Sequence, residues 1–273
     1  MQGGVRGRRA RARLLLDYVS FWLAIRPWPC NNPFMDTKEM IIKYLKEAVP
    51  TLDPSAFADK LALFLRELDT WNEKFNLTSI EGGKEAVIRH ITDSLVLAKA
   101  NKCMDWHTIV DIGTGAGIPG IPLAIAFPSK TVYLNESNNK KLSFLEHIKK
   151  NLPLPNIEIL KGRAETISNK GRYREFFDAA VMRALAPFPI ALELSAGFVK
   201  PEGYIMYYAS AKQASEIARE MNCLKELGCG LEGIYPYELP EGFGSHAIVS
   251  VKKLWKTPSK YPRVFASIKK KPL

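Results

Sequence analysis

From His107 onward the chain alternates short β-branched runs with helical stretches, and this alternation restricts the possible folds more than any other feature. Candidate strands are Thr108–Ile112, Thr131–Asn135, Ile157–Leu160, Ala179–Met182 and Tyr204–Tyr208; candidate helices are Gly120–Ala126, Asn138–Asn151, Phe188–Val199 and Ala211–Leu227. Strand, helix and strand in series require a parallel sheet with right-handed crossovers. The end breaks the pattern. Ile234–Leu239 and His246–Val251 flank Pro240-Glu241-Gly242-Phe243-Gly244 and read as a hairpin, so the last strand runs antiparallel. The expectation is an α/β fold with a mostly parallel seven-stranded sheet, its last strand antiparallel, carrying an N-terminal helical region.

The first strand runs straight into glycines: Val110-Asp111-Ile112-Gly113-Thr114-Gly115-Ala116-Gly117-Ile118-Pro119-Gly120. Glycine lets the backbone turn tightly and approach a ligand, and the helix start behind it presents free N–H groups. Gly115, Gly117 and Gly120 satisfy the dinucleotide spacing GxGxxG, which is weak by itself. No Lys-Ser/Thr follows, which excludes a phosphate-cradling P-loop. Asp111, two residues before the first glycine, suits a cationic amino group and would repel a pyrophosphate. Glu136 closes the next strand roughly 20 residues beyond the glycines, where a carboxylate grips both ribose hydroxyls. That grip serves a nicotinamide dinucleotide as well as S-adenosylmethionine. Asp111 and the terminal hairpin favour S-adenosylmethionine, because the methyltransferase variant of this sheet has one late antiparallel strand.

Between Asp36 and Ala100 the apolar spacing is helical. Ile41, Ile42 and Leu45 share one face; Phe57, Leu61, Phe64, Leu65, Leu68, Trp71 and Phe75 another; Val87, Ile91 and Leu95 a third. Asn72, Asn76 and Gly82-Gly83 separate the second helix from the third. Trp71 and Phe75 read as core, not as base-stacking platforms. Residues 1–34 differ in composition: Arg6, Arg8, Arg9, Arg11 and Arg13 precede the apolar stretch Leu14–Ile25, which is interrupted by Asp17. That stretch is too short for the roughly 20 residues that span a bilayer, and Arg26-Pro27-Trp28-Pro29-Cys30 offers no signal-peptide cleavage site. The composition also suits an organellar transit peptide, but the reading adopted is an upstream mis-start. Met35 followed by Asp36-Thr37-Lys38-Glu39 has the look of a natural start with a capped helix.

The net charge of +11 is concentrated at the ends. Residues 1–34 carry +5 and residues 252–273 carry +8, which leaves the body at −2. Such a basic end points to a polyanion, because Lys and Arg beside phosphates release condensed counterions. The four cysteines, Cys30, Cys103, Cys223 and Cys229, form no CxxC pair and have no His at ligand spacing. A metal site and a secreted disulfide framework are therefore both poorly supported, and a reducing cytoplasm is the default. His90 and Asp93, three apart on one helix, could serve proton transfer, but such a pair more often holds an interface. No Asp/Asn-Pro-Pro-Tyr/Phe occurs, which argues against an exocyclic adenine amine as the methyl acceptor.

Several blocks together carry a family resemblance: DIGTGAGIPGIPLAIAFP, LNESNNKKLSFLE, KGRAE, FDAAVMRALAP and, upstream, WNEKFNLTSI and RHITDSL. The chain from about residue 36 to 273 resembles the bacterial 16S rRNA guanine-N7 methyltransferase family, also called glucose-inhibited division protein B. The resemblance implies transfer of the methyl of S-adenosylmethionine to N7 of a guanine in 16S rRNA, free or in the small ribosomal subunit. It implies Gly113 and Ile118 against the cofactor, Glu136 on its ribose, and Ala164 and Glu165 beside the adenine; Gly117, from the glycine turn, is also expected on the cofactor. Arg183, after the fourth strand, would close over cofactor or substrate. Two positions depart from the family pattern. Tyr207-Tyr208-Ala209-Ser210-Ala211-Lys212 stands where Ala-Leu-Lys-Gly is usual, and Asn135-Glu136 where Leu-Asp is commoner.

The expected organisation is an Arg-rich leader (1–34), a helical region (35–103), a methyltransferase domain (104–254) and a basic tail (255–273). Asp111 joins the cofactor residues. Arg183, Arg263, Lys269, Lys270 and Lys271 are expected on RNA. No general base, metal or membrane contact is expected, and the chain is read as a cytoplasmic monomer. Three rivals differ in what they require. A small-molecule methyltransferase would not need the basic tail, an NAD-dependent oxidoreductase would bind a nicotinamide, and an RNA-binding assembly factor would keep the cofactor fold without turnover.

Overall fold

The computed structural model describes residues 36–100, 105–169, 171–217 and 221–273, which all fall within one compact unit. The expectations about residues 1–34, Met35 and Cys103 lie outside the described residues. The apolar stripes read from the sequence become buried helix faces. Helix α1 (Thr37–Ala48) buries Met40, Ile41, Tyr44 and Leu45, and α2 (Ala58–Phe75) buries Leu61, Phe64, Leu65 and Leu68. Asp36 takes the N-cap position of α1 with an extended backbone, but contrary to the expected cap its side chain makes no capping hydrogen bond. Helix α2 stops at Asn76, which is left-handed (φ 49°), while the Asn72 side chain accepts from the Thr78 N–H. Trp71 lies 5.2 Å from Phe75 and 5.6 Å from Phe144, ring centre to ring centre, so it packs α2 onto the rest of the molecule.

The third helix, α3, is irregular. It begins as Gly83–Ala86, widens into a π-helical turn over Val87–Thr92, returns to α over Asp93–Leu95 and tightens into a 3₁₀ turn over Val96–Lys99. Periodicity alone gives no warning of the wide turn, which displaces by one residue everything that follows it.

The sheet contains β1 (Thr108–Ile112), β2 (Thr131–Glu136), β3 (Ile157–Lys161), β4 (Phe177–Arg183), β5 (Val199–Ser210), β6 (Cys229–Glu238) and β7 (Ser245–Lys253). Their order across the sheet is β3-β2-β1-β4-β5-β7-β6. All pairings are parallel except those of β7, which is antiparallel to both β5 and β6. Helices α4 (Gly120–Ala126), α5 (Asn139–Asn151) and α7 (Phe188–Ala196) make crossovers, with the short α6 (Ala164–Ile167) after β3. Strand order reverses between β2 and β4 on either side of β1, and a crevice at such a point is where an open α/β sheet takes its ligand.

Several elements differ from the sequence reading; strand β6, expected over Ile234–Leu239, starts at Cys229. Strand β5 starts at Val199, not Tyr204, because Val199 already pairs with Phe177 before a register shift brings Tyr204 opposite Ala179. The helix expected over Ala211–Leu227 is described as two pieces, α8 (Ala211–Ile217) and α9 (Met221–Glu226). The core beneath these elements joins Val110, Ile112, Phe177, Met182, Phe198 and Val249 from both halves of the sheet.

One carboxylate ties β1 to β4. Asp178 Oδ2 accepts from the N–H groups of His107 and Thr108 and from the Thr108 hydroxyl, and Oδ1 lies 2.5 Å from Lys200 Nζ. Burial pushes its pKa up, but Lys200 and these donors outweigh burial and hold it at about 2. The depressed value stabilises the fold above pH ~4 and is lost as the pH falls towards 2. Asp178→Ala should therefore lower the melting temperature at pH 7 by several degrees, from a loss of about 1–3 kcal/mol. The difference should shrink as thermal scans are taken towards pH 2.

Candidate active site

At the end of β1 the chain turns through Gly113, Gly115 and Gly117 with φ of +65°, +62° and +83°. A Cβ at Gly117 would collide with the Ile121 side chain, and one at Gly113 would meet only the tip of Leu185, so the positive φ is what requires glycine at both. Two carboxylates anchor this turn from different strands. Asp111, 1% exposed, accepts through Oδ2 from the Thr114 hydroxyl (2.5 Å) and the Gly120 N–H (2.8 Å). Glu136 accepts from the Gly115 N–H through Oε2 (3.0 Å), and from Ser137 and Asn138 N–H through Oε1 (2.7 and 2.8 Å).

Asp111 thus lies beneath the turn and does not line the crevice, contrary to the expectation that it meets a ligand's amino group. Its oxygen is taken by the turn itself. Burial pushes its pKa up to about 7, against the pull of its hydrogen bonds from Thr114 and Gly120. Gly117 and Ile118 also stand behind the crevice. The Ile118 N–H donates to Thr114 O, and neither residue is among those lining the cavity.

The crevice is a cavity of 310 Å³. Its wall combines the polar Asn135, Glu136, Ser137, Lys141 and Arg163 with Ala164, Leu185, Ala186, Leu194 and Phe265, which belong to one apolar cluster around α7. Asn135, the departure from the usual Leu, donates to the carbonyls of Leu160 and Gly162 and so draws the β3 turn against β2. Glu165 faces Arg163 (3.1 Å) and is not part of the lining.

A second cavity, of 420 Å³, shares Ala184 and Ala186 with the first. Its wall includes Arg183, Asp93, Tyr207, Tyr208, Tyr237 and His246. Arg183 Nε lies 2.8 Å from Asp93 Oδ2, and the Tyr237 hydroxyl donates to Asp93 Oδ1 (2.5 Å). Asp93, from α3, therefore orients an arginine at the end of β4 and is itself held by β6. Burial, the Asp93 charge and that hydrogen bond keep the Tyr237 hydroxyl protonated by raising its pKa. His90 does not pair with Asp93; its Nε2 lies 3.3 Å from the Thr78 hydroxyl. Burial, then the charges of Arg183 and Arg89, push its pKa down to about 3, so it stays neutral near pH 7.

The basic tail divides. Lys269, Lys270 and Lys271 are exposed, the first two at the end of α10 (Phe265–Lys270). Arg263, expected on RNA, instead grips Glu193 of α7, with Nε on Oε1 (2.8 Å) and Nη2 on Oε2 (2.5 Å), while Nη1 donates to Lys271 O (3.0 Å). The Glu193 side chain is 0% exposed, and a buried carboxylate needs such a partner. Lys212 is exposed on α8, and Ser210 and Gln213 line the second cavity beside it.

The sequence reading missed Lys141, Phe265 and Tyr237, and marked Asn135 only as a departure from the family pattern. Lys141 had a signal, since it opens the helix after Glu136. Phe265 and Tyr237 had none, because tertiary folding brings them in from distant segments.

The family model for rRNA small subunit methyltransferase G matches residues 58–229. A ribosomal RNA small subunit methyltransferase G from Thermoanaerobacter sp. (strain X514) is 41% identical over 203 residues, covering 74% of this chain and 85% of the relative. The chain belongs to the rRNA small subunit methyltransferase G family. Another member, from Lachnoclostridium phytofermentans, is 37% identical over 215 residues, 79% of this chain and 89% of its own. Among solved structures, the mitomycin 7-O-methyltransferase MmcR has a TM-score of 0.50 at 17% identity, covering 78% of this chain and 67% of that one. That likeness extends to the fold. Among the described residues no group of three His, Cys, Asp or Glu could hold a metal ion, and no helix is long and apolar enough to cross a membrane.

The position of Asp111 in this family member makes a sharp prediction. Both of its donors meet one oxygen, so Asp111→Asn can keep both hydrogen bonds while removing a buried charge. With a folded pKa raised to about 7, the carboxylate favours folding below pH ~4 and loses that advantage as the pH rises through 7. Asp111→Asn should melt at or above the temperature of the unaltered protein at pH 8, whereas Asp111→Ala should lose about 1–3 kcal/mol. A lower melting temperature for Asp111→Asn at pH 8 would mean that the turn needs the charge.

Proposed function

We propose that this chain transfers the methyl group of S-adenosylmethionine to N7 of a guanine in 16S rRNA, acting in the cytoplasm as a monomer on the rRNA or the small ribosomal subunit. The observation that carries the reading is the pair of adjoining cavities, one beside the glycine turn and one around Arg183, in a member of this family. The first fits the cofactor. Glu136 is fixed by three backbone N–H groups and keeps acceptor capacity for ribose hydroxyls. Gly113 offers backbone without a side chain, Lys141 supplies a cation for a carboxylate, and Ala164 belongs to an apolar cluster suited to adenine.

When bound, this cofactor supplies an electrophilic methyl on a sulfonium. Guanine N7 offers a lone pair and has no proton to lose, so the protein's task is alignment, which can supply roughly 7–11 kcal/mol of barrier reduction. Arg183 is suited to that task. Its Nε is held by Asp93, and its terminal nitrogens, without a hydrogen-bond partner among the described residues, can take guanine O6 and leave N7 open. A guanidinium on N7 itself would oppose the charge that develops there. Lys269, Lys270 and Lys271 would add phosphate contacts, which position the RNA without choosing the base.

The direct test is mass mapping of methylated guanines in small-subunit rRNA from cells with and without this gene; an identical set would sink the proposal. In calorimetry, Glu136→Ala should weaken S-adenosylmethionine and S-adenosylhomocysteine together, by about tenfold or more for one lost charge-assisted hydrogen bond. Single-turnover rates should be nearly flat from pH 6 to 9, since His90, at about 3, does not titrate there and Asp111, at about 7, is buried beneath the turn, away from the reacting atoms. Arg183→Lys should slow the step by about tenfold or more, because an ammonium cannot serve Asp93 and the base at once. A steep rise through one pKa, or unaltered rates in Arg183→Ala, would overturn this account of the step. Replacing the three lysines should reduce the log–log salt slope of RNA binding by about 0.7–0.9 per lost contact; an unchanged slope would mean they only meet solvent.

A further inference from the structure

The segment after β7 is tied down along its length. Arg174 donates to the carbonyls of Thr257 (2.7 Å) and Tyr261 (3.1 Å). Arg263 grips the buried Glu193 from above α7 and closes back onto Lys271 O. Ile268, fully buried, packs on Ile190 and Leu194 of α7. These anchors lie on both sides of Phe265, and they set it in the wall of the first cavity, beside Ala164 and Leu194. Arg163, also in that wall, places its guanidinium 4.5 Å from the centre of the Phe265 ring.

The cavity wall includes the carboxylate of Glu136 and, from one apolar cluster around α7, Ala164, Leu185, Leu194 and Phe265. If the ribose sits on Glu136, the adenine is the one flat, weakly polar part of the cofactor left for that apolar cluster. An aromatic ring there offers a stacking face at little entropic cost, and the guanidinium beside it stiffens the ring's position. We propose that Phe265, held by the anchored C-terminal segment, forms a wall of the adenine subsite, so that residues beyond the seven-stranded sheet complete the cofactor site. The proposal rests on the reading of the first cavity as the cofactor cleft.

The test is calorimetric titration of the full chain with S-adenosylhomocysteine. Phe265→Ala should bind about tenfold more weakly, in line with loss of one aromatic stacking face, while Phe265→Trp should bind as tightly as the unaltered protein. Phe265 is only partly buried, and melting curves will show whether the alanine variant keeps its fold. If it does not, Phe265→Trp decides through fluorescence: S-adenosylhomocysteine should quench its emission beyond the change seen in the unaltered protein. Alanine-variant affinity within twofold of the unaltered protein, or no added quenching, overturns the proposal. Glu136→Ala separates the two readings. If it weakens binding and Phe265→Ala does not, the cleft reading stands and the adenine wall falls; if the unaltered chain does not bind at all, both fall.

Discussion

A buried carboxylate under the glycine turn is the constraint on which the rest of the site depends. Asp111 has lost nearly all contact with water, and placing a carboxylate there would be prohibitive without donors fixed in place. The Thr114 hydroxyl and Gly120 N–H are those donors, one from the turn and one from the start of α4. They pull the positive-φ glycines into a loop that passes in front of β1. Glu136 completes the hold from the neighbouring strand through the Gly115 N–H. With the turn fixed from both β1 and β2, its open face can present backbone to a ligand without a side chain intervening.

The second organising interaction joins segments far apart in sequence. Asp93 stands on the irregular α3, Arg183 ends β4 and Tyr237 lies on β6, and the three meet through the two oxygens of one carboxylate. A second tyrosine, Tyr208 on β5, donates to Ser94 O next door (2.6 Å). The helical region is thereby fastened to the mouth of the sheet by polar contacts beside the cavities, as well as by the apolar faces of α1 and α2. The partly buried Arg183 is oriented by Asp93, which Tyr237 holds in turn. Truncating Asp93 would free the guanidinium and leave the Tyr237 hydroxyl without its acceptor, so the geometry of the cavity and the docking of α3 depend on the same atoms.

Much of the fold was legible because it rests on local rules. The β1 strand, the glycines and α4 follow from backbone chemistry, and the stripes Ile41/Leu45 and Leu61/Phe64/Leu65/Leu68 follow from helical spacing. The antiparallel last strand follows from the turn residues around Pro240–Gly242. What escaped was set by tertiary context. The early start of β5 depends on Phe177 lying opposite Val199, and the wide turn at Val87–Thr92 has no periodic mark. Asp111 was recognised as important but given the wrong partner: its position at the strand end is local, whereas its burial depends on the return of Gly120 beneath it. Arg263 was misread for the same reason, since nothing near it in sequence announces Glu193.

That misreading bears on how charge in such a tail translates into binding. Residues 252–273 carry +8 by count, but a count treats every cation as equally free. Lys252 pairs with Glu202, Lys253 with Glu175, Lys260 with Glu226 and Arg263 with Glu193. Lys253 is 0% exposed and serves the interior. Lys256, Lys269, Lys270 and Lys271 have no ion-pair partner among the described residues, and three of these four follow one another at the end of α10. A polyanion responds to the local density of unpaired cations within a Debye length of about 8–10 Å, not to the total. The positive field of the tail is therefore concentrated at the tip of the helix whose other end lines the first cavity, while Arg263, just before that helix, pairs its charge with the buried Glu193 of α7.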